Sequence, residues 1–373
     1  MRFHTSDQRA ARLAMAATIL LALGACKLDV TNPNAATEQG VLTTAAGLRA
    51  LAIGMQGRLG NAMEETIYVP GLISGELGNT NATQSTTREF QLFPTASANS
   101  AIEETNVDLL DIWTKNYLVV KSANDIIDNI DNVGFLPGTK AGMLALAKLH
   151  KAMAFGNLIE AFEKIPIDNV PSPTFVDRPT ALTAILALLA SAKTDATGTP
   201  LTTEFTGTIL APGFDLLNTI RAMQARYSLA AGAYDNALAF ANEVPTTASS
   251  QITFAATDPN PFGDLYHRSK FFGAMTSFRT NAEAGDTRVN SKTTATALNA
   301  FGGASLVETN IFLTDADPIP VFSQDELTLI AAEALARLNR LPEAIVQINI
   351  VRNRAGLASK TALDLPDQPA VLA

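Results

Sequence analysis

Apolar residues recur along most of this chain at the spacing of an α-helix, and two segments repeat one plan. Between Phe322 and Leu357, a first stripe runs through Leu327, Ile330, Ala331, Ala334, Leu335 and Leu338. A second runs through Leu341, Ala344, Ile345, Ile348 and Val351. The spacing predicts two helices joined by a tight turn. Ser323 and Glu326 predict a capping box: the hydroxyl accepts from a backbone N–H while the carboxylate reaches back to the cap. Pro342 suits the first turn of the second helix, where a missing N–H is tolerated, and Gly356 supplies a left-handed stop. Phe214–Val244 repeats the pattern. Placing Gly232 on Asn339 aligns Ala225 with Ala332, Leu229 with Ala336, Ala237 with Ala344 and Asn242 with Asn349.

Further helices are predicted over Glu38–Leu59, Asn106–Val133, Gly142–Lys164 and Thr180–Lys193. Pro166 forces an extended exit from the third of these, a Pro-broken linker covers Asn169–Pro179, and residues 194–213 read as irregular. Gly232–Ala237 resembles the turn and second-helix start of a tetratricopeptide unit. The generic period of such units is about 34 residues, and the copies here lie further apart, so long insertions must separate them. Two Gly-, Asn- and Thr-rich stretches, at about 60–100 and 251–320, supply those insertions, and loops of that length in a compact domain are functional or disordered. The predicted class is mainly α, a tetratricopeptide-like helix-pair scaffold carrying long irregular insertions.

The first residues belong to a different kind of segment. Arg2, Arg9 and Arg12 form a basic region, and Leu13–Leu23 is an apolar run too short to span a bilayer comfortably. Leu23-Gly24-Ala25-Cys26 looks like a bacterial lipobox. Residues 1–25 are therefore expected to be a lipoprotein signal peptide that is removed, with Cys26, the single cysteine, lipidated and 26–37 a tether. A spanning anchor is the alternative. The 373 residues are 47% hydrophobic and 17% charged, enough for a large core. The net charge of −9 becomes −11 once the three Arg and one Asp of residues 1–25 are lost. Such a balance argues against nucleic acid, whose phosphates need basic groups.

Five elements, in order, resemble the SusD/RagB family of outer-membrane nutrient-binding lipoproteins. They are Cys26 with Leu28–Pro33; Trp113-Thr-Lys-Asn-Tyr117 followed by Ala123-Asn124; Ala147–Ile167; Asp286-Thr287-Arg288; and Asn349–Leu357. In the third, Glu163-Lys164 stands where the family usually has Gly. The resemblance spans Cys26 to Leu357, so 38–357 is expected to be the helical domain and 358–373 a tail, where family members usually continue further. It implies four tetratricopeptide-like helix pairs, ligand contacts in the insertions, and a lipoprotein held at the cell surface over a TonB-dependent outer-membrane transporter, to which it passes an oligosaccharide or peptide.

The residues themselves compel no enzyme and imply no cofactor. There is no HExxH or Cys/His cluster for a metal and no glycine-rich phosphate loop. Glu64, Glu65, Glu103, Glu104, Asp315 and Asp317 could pair across space as glycosidases require, or, for the last two, hold a hard cation. Arg352 and Arg354 are read as structural, pairing with a carboxylate such as Glu333 or capping helix-end carbonyls. The register of Trp113 assigns it to the core. The candidate ligand contacts are Tyr68, Glu76, Asn79, Asn81 and Phe90 in the first insertion and Tyr266, His267 and Phe272 in the second, where flat rings meet amide and carboxylate groups. Those aromatics could instead pin their loops to the scaffold. Non-catalytic nutrient capture is the leading reading, ahead of a protein–protein scaffold lipoprotein and a glycan hydrolase.

Overall fold

The computed structural model of the chain describes residues 38–80, 89–91, 102–300 and 305–373. Cys26 and Asn81 lie outside them. Residues 1–41 form one unit, of which only the start of a short helix, α1 (Glu38–Leu42), is described. Residues 42–373 form the second. Its helices run α2 (Ala45–Ile73), α3 (Val107–Asn129), α4 (Pro137–Ala161), α5 (Arg178–Gly198), α6 (Leu216–Ala230) and α7 (Tyr234–Glu243), and each packs on the next. After an insertion come α10 (Gln324–Arg337) and α11 (Leu341–Arg354), with α10 seated on α6 and α7. Four antiparallel pairs result, in the tetratricopeptide-like plan.

Each pair is punctuated by local chemistry. Asn106 caps α3 by accepting from the N–H groups of Asp108 and Leu109 at 3.0 and 3.3 Å. Asp177, Asp215 and Ser323 cap α5, α6 and α10 in the same way. The aligned residues Gly232 and Asn339 both adopt the left-handed conformation, at φ 73° and 59°. Around them the Ala233 and Arg340 N–H groups return to the Ser228 and Leu335 carbonyls, the same closing bond in both copies. Leu357 closes on Arg352 identically, around Gly356. The capping box is only half formed, however. Ser323 Oγ accepts from Glu326 N at 3.0 Å, but the Glu326 carboxylate turns away to Arg226 of α6, at 2.6 and 2.9 Å. A neighbouring guanidinium holds a carboxylate more strongly than a solvated cap N–H does.

The first insertion is shorter than predicted, because α2 continues to Ile73. Leu59, Ala62, Glu65, Tyr68, Val69 and Leu72 keep helical spacing and are buried, so the Gly60-Asn61 and Pro70-Gly71 signals are overridden by packing. Helix α4 begins before its predicted start, at Pro137, and stops at Ala161, short of Lys164, whereas α5 runs past its predicted end to Gly198, and residues 205–209 form a π-helical turn. The second insertion is not irregular. Strands β4 (Ser250–Ile252) and β8 (Ile319–Phe322) pair across its neck, and β1 (Leu77–Asn79), β5 (Phe272–Met275), β7 (Leu306–Thr309) and β6 (Thr293–Leu298) form an antiparallel sheet in that order. Its alternation was hidden among Thr, Gly and Ala. Strands β2 (Lys164–Pro166) and β3 (Phe175–Asp177) form the small hairpin between α4 and α5. Within 358–373 a short helix, α12 (Gln368–Leu372), folds back on α10 and α11, and Gln368 donates to the Ala336 carbonyl.

Helix α4 is buried on most faces, and its small residues set how near its neighbours come. A methyl group on Gly156 would overlap the Tyr227 hydroxyl of α6. His150 of α4 is buried, donates from Nδ1 to Leu146 O at 2.9 Å and lies 5.6 Å from the Phe214 ring. Burial lowers its pKa to about 4, against the raising effect of that hydrogen bond.

Two outcomes follow for stability. Gly156→Ala should lower it by roughly 1–3 kcal/mol through overpacking, whereas Gly54→Ala, whose methyl would meet nothing within 4 Å, should match or exceed the parent in thermal melts. As pH falls from about 6.5 towards about 4, the unfolded chain protonates His150 while the folded one does not, so stability declines with acid by on the order of 3 kcal/mol. Urea titrations at both ends of that window should show a smaller loss in His150→Gln.

Candidate functional site

The eight predicted ligand residues have different fates. Tyr68 is buried on α2, stacked on Phe272 of β5 at 4.8 Å with its hydroxyl donating to Asp108 at 3.0 Å. Asn79 and Phe90 have no exposed surface, and Asn79 N donates to the Gln91 side chain at 2.7 Å. His267 donates from Nε2 to the Ile311 carbonyl at 2.8 Å. Asn81 lies outside the described residues. Glu76 and Tyr266 line a cleft of about 460 Å³, a candidate site for a ligand.

Two walls of the cleft come from the four-stranded sheet and the turns beside it. Gly78 of β1 pairs with Gly273 of β5, and the side chains of Leu306 on β7 and Leu298 on β6 fill the space at Gly78 and Gly273 respectively. Tyr266 sits in a π-helical turn (Gly263–Arg268) fastened by the Ser269 N–H on Asp264 O and by Arg268, which bridges Asp264 and Asp315 at 2.8 and 2.9 Å. Its ring is 3% exposed and packs 5.1 Å from Phe262. Burial raises its pKa, and its hydroxyl has no hydrogen-bond partner among the described residues. Phe278, on the short helix α8 (Ser277–Thr280), presents a ring that is 48% exposed. A half-exposed ring beside polar groups is what stacks against the flat face of a sugar or a peptide side chain.

A third wall carries the charge. Arg288, opening the short helix α9 (Arg288–Lys292), donates to Asp286 through Nε at 3.0 Å and Nη2 at 2.7 Å. That fork holds the Asp286 carboxyl below its ordinary pKa and Arg288 above its own. Lys292 follows one turn later. Three of the carboxylates that could have paired for catalysis are engaged elsewhere: Glu65 pairs with Lys115 at 2.6 Å, its pKa raised to about 7 by burial, Asp315 pairs with Arg268, and Asp317 accepts from Thr314 at 2.6 Å. Trp113 is half-buried in a cluster with Tyr117, Phe162 and Phe175, at 4.7, 5.0 and 6.0 Å.

The Asn349–Leu357 segment holds this wall. Arg352 forks onto Glu283 at 2.8 and 2.9 Å and donates to Ala358 O. Thr287 N donates to Ala355 O at 2.9 Å, and a methyl group on Gly356 would crowd Thr287 and the Gly285 carbonyl. Arg354 pairs with Asp325 at 2.8 Å. Both arginines are structural, with Glu283 and Asp325 as partners; Glu333 binds Arg337.

Four helix pairs, a stapled insertion and a sheet-walled cleft can be compared as a whole with known structures. The chain has the SusD-like fold. A SusD superfamily protein from Bacteroides thetaiotaomicron matches with a TM-score of 0.65 and 14% identity, over 89% of this chain and 85% of that one. Surface glycan-binding protein A from the same organism matches at 0.66 and 13%, over 89% and 86%. The Bacteroides fragilis protein NanU matches at 0.63 and 13%, over 87% and 80%. No protein-family model and no curated protein sequence matches the chain. On this SusD-like frame, sequence reasoning missed Phe278, Arg288, Lys292 and Thr309 as cleft residues. The Asp-x-Arg element with a Lys four residues on was the available signal.

Because the clamp acts on the Thr287 backbone, Arg352→Ala should speed hydrogen exchange at the Thr287 amide, and Glu283→Ala should do the same. Arg354→Ala should leave that amide protected; equal loss in all three variants would refute the clamp.

Proposed function

We propose that this chain is a non-catalytic lipoprotein of the outer-membrane surface that captures a glycan and passes it to a TonB-dependent transporter. The cleft carries the reading. It combines a half-exposed ring, Phe278, with the Tyr266 hydroxyl and the charges of Glu76 and Lys292, which have no hydrogen-bond or ion-pair partner among the described residues, the mixture that holds a polyhydroxylated ligand. The SusD-like fold is consistent with it, since one structural neighbour is described as a surface glycan-binding protein. Glu76 and Tyr266 are the contacts retained from the predicted set, joined by Phe278 and Arg288. Tyr68, Phe90 and Phe272 are packing groups and His267 is bonded to the Ile311 carbonyl of the cleft lining, while Asn81, outside the described residues, is kept only as a proposed contact.

A binding role rather than hydrolysis is supported by the carboxylates of the cleft. Glycoside hydrolysis needs two of them at the scissile bond, and here Asp286 is occupied by Arg288, leaving Glu76. Attachment follows from the leader at 1–25 and lipidation of Cys26, with 26–37 as the tether. A glycan panel should identify ligands that the chain retains without releasing new reducing ends, and Phe278→Ala should weaken that retention about tenfold, the effect of losing one stacked ring. In cells, Cys26→Ala should move the chain out of the membrane fraction and abolish its co-purification with a large β-barrel. Turnover of any panel glycan, or retention indifferent to Phe278→Ala, would refute the proposal.

A further inference from the structure

The charged groups of the cleft divide into a satisfied pair and an unsatisfied one. Asp286 and Arg288 neutralise each other through their fork. Glu76 and Lys292 line the same cleft, and neither has an ion-pair partner among the described residues. Lys292 is an exposed residue at the cleft, so solvent partly screens its pull on an anion, and a second cation beside it adds to that pull. Arg288 stands one helical turn before Lys292, on the same face of α9. Its Nη1 makes no bond to Asp286, so a second cationic donor is available beside the first. The polar group left over in the cleft lining is neutral: the Tyr266 hydroxyl, without a hydrogen-bond partner among the described residues. A buried hydroxyl left unpaired carries a cost that a bound hydroxyl would remove.

We infer that the cleft takes a sugar bearing a single negative charge, a uronic acid being the simplest, with its carboxylate on Lys292 and the free edge of Arg288. The ring hydroxyls then meet Glu76 and Tyr266. Glu76 repels any anion in the cleft, and a dianionic group would meet about twice the repulsion of a single carboxylate. The inference rests on the reading of the cleft as the glycan site, and the test separates the two.

Ligand-observed NMR titrations of the full chain with D-glucuronate and with D-glucose should show glucuronate binding about tenfold more tightly, as one charge-assisted hydrogen bond provides. The preference should shrink in about 0.5 M salt and fall to within about twofold in Lys292→Gln. Phe278→Ala should weaken both sugars. Equal affinity for the two sugars in the parent chain, or a preference that Lys292→Gln leaves intact, would overturn the inference while leaving the cleft as a neutral-glycan site. Binding of neither sugar, or binding that Phe278→Ala does not alter, would overturn the cleft reading as well.

Discussion

The molecule depends on how closely other helices can approach α4. Its buried residues include Gly142, Ala145, Ala147, Ala152, Ala154 and Gly156, and small side chains let neighbouring elements come near the backbone, where packing is densest. The Phe205 ring lies against Gly142, and Tyr227 of α6 lies against Gly156. Helix pairs stack in order only if this contact stays close. A chain with 6% aromatic residues fills such a core largely with Ala, Leu and Ile.

Two ion pairs tie helices of this frame together. Arg226 ties α6 to the start of α10 through Glu326 and the Val321 carbonyl, linking the two repeated units across the insertion between them. Glu65 and Lys115 tie α2 to α3. Removing one member of such a pair would leave the other poorly solvated, which costs more than the pair itself contributes. These ion pairs therefore fix which helices are neighbours more than they add stability.

The cleft is an outgrowth of that frame. Its sheet is assembled from β1, which follows α2, and from three strands of the second insertion, so segments nearly two hundred residues apart in number meet along one edge. Its charged wall is held from behind by the end of α11. The Asn349–Leu357 element thus joins two roles, closing a helix pair and positioning the loop from Glu283 to Arg288, through backbone and guanidinium bonds rather than by any contact with a ligand.

The sequence by itself determined the helix pairs, because a 3.6-residue stripe, an Asx or Ser cap and a left-handed Gly or Asn turn are all local. Gly232 and Asn339 were aligned from sequence, and their backbones agree. Local signals misled where packing outweighed them: Gly60 and Pro70 lie within α2, and Glu326 chose Arg226 over its own cap. The insertion strands were hidden by weak alternation among small residues, since pairing across long separations is chosen by the partner strand. Only the tertiary structure decided which side chains face the cleft. Tyr68, Phe90 and Phe272 turned inward as packing groups, while Phe278, Arg288 and Lys292 came to line the cleft beside Glu76 and Tyr266. Exposure of a ring or a charge is set by what covers it, and the covering residues lie far away along the chain.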